Sequence, residues 1–209
     1  RRGPLAASTD ATEVFALQQD DAGGTEPAFV SGFPVDAAFS RNATGTAVNF
    51  FGSRLTGANY LRTNANNAET SNSDFEWDYM NGWNSEPVQG SSVISYMWKR
   101  ARGYFDVVAY TGTGNNRTIS HNLGVVPEMM WVKLRNSTEY FQVYHKDFLA
   151  TEYIEFRTNG KTSSNGTLRW NSTRPTDSVF SLGTHSSVNG SSNTYIAYLF
   201  ATVAGVSKV

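Results

Sequence analysis

Phe105-Asp106-Val107-Val108-Ala109-Tyr110, then Thr111-Gly112-Thr113-Gly114, His121-Asn122-Leu123-Gly124 and, after Pro127, Met129-Met130-Trp131-Val132 follow one another along the middle of the chain. The first and last of these pieces are runs of β-branched, aromatic and other apolar residues, and Gly, Asn and Pro bound them. That is the signature of strand, turn and strand. Gly112-Thr113-Gly114 follows a strand but opens no helix, so it reads as a hairpin turn and not as a phosphate loop.

Working outward, the same chemistry recurs on both sides. Val14–Leu17, Ala47–Leu55, Tyr60-Leu61 and Val93–Trp98 read as strands before this stretch, with Ala37–Phe39 leading to a turn at Arg41-Asn42, and Val143-Tyr144 and Tyr195–Phe200 read as strands after it. Outside the ambiguous Phe148–Phe156 region, no window repeats apolar residues at helical spacing. Many pieces also match when the chain is shifted by 93 positions. Val14 falls on Val107, Phe33-Pro34 on Val126-Pro127, Phe39 on Val132, Tyr60-Leu61 on Tyr153-Ile154 and Trp77 on Trp170; Ile94–Trp98 falls on Ile196–Phe200 after a shift of 102. The expectation is an all-β protein of two tandem repeats of about 95 residues, each a β-sandwich of jelly-roll or lectin-like kind. Residues 1–12, opening on Arg1-Arg2-Gly3-Pro4, read as an arm or linker, 13–102 as the first repeat and 103–209 as the second. The final strand is apolar on both faces, which places it inside, where the halves would meet.

Composition narrows the function. A chain of 209 residues that is 39% apolar supports a real core, and 17 basic against 18 acidic residues leave a net charge of -1. No whole-chain field favours nucleic acid or an anionic membrane. The chain has no cysteine, which removes disulfides and Cys-ligated zinc. No apolar run reaches the roughly 18 residues that would cross a bilayer, so no membrane insertion is expected.

Phe105–Gly114, His121–Lys133, Val143-Tyr144-His145-Lys146, Phe180-Ser181-Leu182-Gly183, Ser187-Val188-Asn189-Gly190 and Tyr195–Phe200 together resemble a family of uncharacterised repeats. That family recurs in virion structural and tail-fibre-like proteins of tailed bacteriophages, many of them marine. The likeness covers the second repeat nearly whole and is weaker in the first, where Phe33-Pro34 lacks the His-Asn-Leu-Gly lead-in. It implies a component of the particle exterior, in a capsid decoration or a tail fibre. The expected partners are sibling copies, in a symmetric homo-oligomer, and other virion proteins, and the resemblance supplies no catalytic residue.

One stretch suggests chemistry of its own. Asp74, Glu76 and Asp78 alternate with Phe75, Trp77 and Tyr79, with Trp83 close behind. On a strand the acids share one face and the rings the other. Trp77, Tyr79 and Trp83 with Asp74, Glu76 and Asp78 are therefore the candidate site for a host-surface glycan, since ring faces and carboxylate acceptors together suit sugars. The alternation is also what a half-buried strand produces with no ligand, and the match of Trp77 to Trp170 favours core. Glycosidase chemistry would need carboxylates facing across a cleft, and calcium an Asp-rich loop that is missing. His121, His145 and His185 stand at no metal-ligand spacing and read as turn or surface residues, with His121 ordering the turn before Leu123. No catalytic residue, metal or cofactor is expected.

Overall fold

Pro, Gly, Asn and Ser interrupt the apolar runs every few residues, and short strands are what such a chain can build. The computed structural model describes residues 5–20, 26–44, 49–85, 92–163 and 165–209. The Arg1–Pro4 start, Gly23-Gly24 and the Ala47-Val48 beginning of an expected strand lie outside the described residues. The protein is all-β. Sixteen strands and three short helical turns, Ala11–Glu13, Gly166–Trp170 (α1) and Ser186–Asn189 (α2), make up its regular structure among the described residues. Phe148–Phe156, ambiguous in sequence, is turn with a two-residue strand at Ile154–Glu155.

The chain divides into two compact units. The first comprises Asp10–Asn64 and Glu69–Arg100. Its strands are β1 (Phe15–Gln19), β2 (Phe29–Val30), β3 (Ala37–Asn42), β4 (Phe50–Ser53), β5 (Asn59–Arg62), β6 (Thr70–Ser71), β7 (Phe75–Glu76), β8 (Gly82–Ser85) and β9 (Val93–Trp98). A six-stranded antiparallel sheet, β1-β9-β3-β4-β5-β6, lies over a three-stranded layer, β2-β8-β7. The core between them takes Ala38, Phe50, Tyr60, Val93 and Met97 from the large sheet and Phe29, Phe75 and Trp83 from the small one, with Phe33, Val35 and Trp77 from the connections.

The second unit comprises Ala101–Val209, Ala65–Ala68 and the stretch that ends at Thr9. Its strands are β10 (Phe105–Thr111), β11 (Arg117–Ser120), β12 (Met129–Leu134), β13 (Gln142–His145), β14 (Ile154–Glu155), β15 (Val179–Leu182) and β16 (Thr194–Phe200). The large sheet runs β10-β16-β12-β13-β14, and β11 pairs with β15 in a second layer. Met130, Val132, Leu134, Tyr144, Tyr195, Ala197 and Leu199 meet Ile119, Phe180 and Leu182 of that layer and Trp170 and Val188 of the helices. The alternate residues of β16, Ile196 and Tyr198, are fully buried as well, so this strand is covered on both faces.

Both large sheets follow one order: first strand, last, third, fourth, fifth. In both units the second strand pairs with the strand before the last in the smaller layer. The registers can be compared directly. Phe15 and Ala37 lie opposite Trp98, as Phe105 and Met129 lie opposite Phe200. Counted from these partners, Phe105 stands in β10 at the position that Phe15 has in β1, and Trp131 in β12 at the position that Phe39 has in β3.

The Gly112–Gly114 link is not a hairpin, because β10 and β11 belong to different layers. It carries the chain from one sheet to the other, and Asn189 holds it there. The Asn189 side chain is fully buried; it accepts from Thr113 N–H at 3.0 Å and donates to the carbonyls of Asn115 and Gly183 at 2.7 Å each. Gly112 is required because a Cβ there would lie 2.2 Å from the Gly190 carbonyl oxygen.

Lys133 is also fully buried. A buried ammonium must find acceptors, and Nζ donates to Leu134 O at 2.7 Å and to Asn67 O at 3.0 Å. Glu139 N–H adds a bond to Asn66 O at 2.8 Å. These bonds tie residues 65–68 into the second unit. Lys133→Met keeps most of the apolar stem and removes the donors, and is expected to cost about 1–3 kcal/mol, read as a lower urea midpoint at unchanged slope.

The histidines share one local role. Nδ1 of His121, His145 and His185 accepts the N–H two residues on, from Leu123 (3.2 Å), Asp147 (3.3 Å) and Ser187 (3.1 Å). His121 Nε2 also meets Thr176 O at 3.2 Å, which assigns the proton to Nε2. Protonating Nδ1 would set a donor against a donor. Burial depresses the pKa of His121 and of His185 below the ordinary 6.5. The unfolded chain then takes up protons that the fold resists, so stability present above pH 6.5 is lost as pH falls. The melting temperature is expected to decline below pH 6.5. His121→Asn, which keeps an acceptor without a titration, is expected to flatten that decline.

Candidate functional site

The site is built in the first unit, where the turn after β4 comes beside β7. Ser53 and Thr56 shape the turn: Ser53 Oγ donates to Asp36 O (3.1 Å) and accepts from Leu55 N–H (3.2 Å), while Thr56 Oγ1 donates to Ser53 O (2.8 Å). Gly57 then takes φ +59°, a left-handed conformation that favours glycine. On the facing side, Asn72 starts the approach to β7 by accepting Asp74 N–H on Oδ1 at 3.0 Å. A cleft of about 490 Å³ opens between the two, lined by Arg54, Gly57, Ala58 and residues 75–79.

The alternation of residues 74–79 is realised, with Phe75 and Trp77 buried and Glu76 and Asp78 exposed. Trp77 and Trp83 do not form an open platform. They stack on each other at 4.8 Å between centroids, and are 4% and 0% exposed. Trp77 Nε1 donates to Gly57 O at 2.9 Å and Trp83 Nε1 to Ser95 Oγ at 3.0 Å. Neither indole offers a face to a ligand, which corrects their place in the expected glycan site. The hydrophobic payload of an indole is best used inside, and each N–H has found an acceptor there. Trp170, matched to Trp77 in sequence, is likewise core and donates to Glu152 O at 3.1 Å.

Tyr79 does stand at the cleft. Its hydroxyl lies 3.0 Å from Glu76 Oε2 and 3.1 Å from Glu26 Oε2. Desolvation, then the two carboxylates, push the phenol up to about 12. Asp74 is turned to Ser73 and Asn72 beside β7 and does not line the cleft. Of the expected residues, Glu76, Asp78 and Tyr79 thus line the cleft beside the enclosed Trp77, while Asp74 and Trp83 do not.

Arg54 was not legible as a site residue. A single arginine in a polar loop carries no motif, and only the turn's geometry brings it here. Its Nε donates to Val35 O at 3.1 Å and lies 4.0 Å from Asp36 Oδ1. Its Nη2 is shielded from solvent and, among the described residues, has no acceptor. Among those residues no three His, Asp or Glu side chains gather as a metal would require.

Arg169 of the second unit, 4% exposed, was missed for the same reason. It lies over the Tyr153 ring at 3.6 Å and binds Gln142 Oε1 at 2.6 Å and Glu155 Oε1 at 3.4 Å. Burial works to raise the Glu155 carboxyl, but hydrogen bonds from Arg157 and Gln142 outweigh it and hold the group below its ordinary range.

A family model described as a domain of unknown function (DUF7483) matches residues 36–209, a single range that runs through most of both units. No curated protein and no solved structure matches the chain. No helix among the described residues is long and apolar enough to cross a membrane.

The division of these aromatics into core and cleft wall has a simple test. Trp83→Ala is expected to cost about 3–5 kcal/mol. Tyr79→Phe, which removes a hydroxyl at the surface, is expected to stay within about 0.5 kcal/mol of the parent. Urea unfolding of the two variants side by side checks both.

Proposed function

We propose, for a chain that belongs to the DUF7483 family, a non-enzymatic structural role on the exterior of a bacteriophage particle. It would serve as a capsid decoration or tail-fibre component, assembling with sibling copies and with other virion proteins. The likeness of residues 105–200 to repeats of virion proteins supports the setting. The observation that carries the role is how the buried polar side chains are used. Lys133, Asp106 and Asn189 hold neighbouring main chain: Asp106 accepts Val107 N–H at 2.9 Å and Asn122 N–H at 2.7 Å, beside the Lys133 and Asn189 bonds already described. Arg169 and Glu155 hold each other. These groups brace a scaffold.

The units themselves are read as two tandem repeats. The common strand order and the common use of Trp77 and Trp170, each donating to a loop carbonyl, support this. A second reading, attachment of the particle to a host-surface glycan, is favoured by one observation, the cleft beside Tyr79.

Light scattering of the purified chain, with its copy number measured in intact particles, tests the first reading. A mass several times 23.0 kDa and a fixed copy number are expected. A monomer absent from particles would overturn the assembly role.

A further inference from the structure

We propose that the cleft beside residues 54–58 is a subsite for a hydroxyl-rich sugar ring that carries no acidic group. In it Arg54 is the donor, Glu76 and Asp78 are acceptors, and Tyr79 is a wall. This names the ligand class for the attachment reading and rests on it. The volume of about 490 Å³ lies within the range of about 300–1,000 Å³ usual for small-ligand sites.

The polar groups decide the class. The Arg54 guanidinium offers donors and no acceptor, and among the described residues only its Nε is matched by protein oxygens, at Val35 O and near Asp36. A shielded donor without an acceptor is unfavourable, and a ligand oxygen would fill that need. Across the cleft, Glu76 and Asp78 are exposed carboxylates that accept and do not donate. A sugar hydroxyl does both, so one ring can accept from Arg54 and donate to the acids.

Charge removes the acidic alternatives. Glu76, Asp78 and the Glu26 carboxylate bonded to Tyr79 stand against one guanidinium that already has Asp36 beside it. Sialylated, sulfated or uronate sugars would meet net negative charge. The second unit shows how the fold closes the equivalent turn when it is not left open. After β13, Arg174 donates to Lys146 O at 2.7 Å and to Phe148 O at 2.8 Å. Among the described residues of the first unit, no side chain donates in this way to the carbonyl of Arg54.

The test is a printed array carrying neutral hexose, deoxyhexose and N-acetylhexosamine oligosaccharides together with sialylated, sulfated, uronate and amino sugars. It is probed with the full chain and with Arg54→Gln, Asp78→Asn and Ala58→Phe, the last of which fills the cleft without removing a hydrogen bond. Neutral glycans are expected to bind, at least tenfold more weakly in each variant. Each variant is first shown to melt like the parent, and Asp78→Asn, at an exposed position, decides the matter if Arg54→Gln is unstable. Preference for sialylated, sulfated or uronate sugars overturns the ligand class. Sugar binding that survives all folded variants overturns this site and leaves attachment standing. No binding to any printed glycan overturns both, and neither result touches the oligomeric mass.

Discussion

The hydrogen bonds on both edges of the last strand hold each unit together. β9 pairs with β1 on one side and β3 on the other, and β16 does the same with β10 and β12. The first and third strands of a unit do not pair with each other. The first strand of each sheet therefore joins the third only once the last strand is in place, and the last strand's pairings join residues far apart in sequence. Such topologies fold slowly, because the loops must close before the contacts that reward closure can form.

That constraint explains which residues are large. A strand paired on both edges is well enclosed, and β16, between β10 and β12, is buried along almost its whole length. In the first unit β9 alternates buried and half-buried residues. Its outward set, Ile94, Tyr96 and Trp98, is nonetheless apolar, with Trp98 against Phe15 at 5.6 Å and Phe51 at 6.1 Å. Sequence shows this as strands without a polar face.

Legibility followed the range of the interaction. Val93–Trp98 was readable residue for residue because β-branched and aromatic residues set it locally, and the histidine turns because an acceptor two residues before an N–H is a local device. The Gly112–Gly114 link looked like a hairpin because turn chemistry says where a chain bends and not which layer it enters. α1 and α2 were missed because four or five residues are too few for a helical period. At the cleft, the alternation of residues 74–79 told which side chains face out. It did not tell that Trp83 stacks on Trp77 inside, or that Arg54 comes to the same place from a turn 20 residues earlier.

The burial of Lys133 bears on amine chemistry. Of the five lysines, only Lys133 is fully enclosed, while Lys99 and Lys146 are half-buried and Lys161 and Lys208 exposed. An acylating reagent would mark the other four on the folded protein and reach Lys133 only when the second unit opens and releases Asn67. The rate at which that one amine is acylated is thus a clock for opening of a single unit, readable in a mixture or within a larger assembly, where a bulk melting curve would average over every other component.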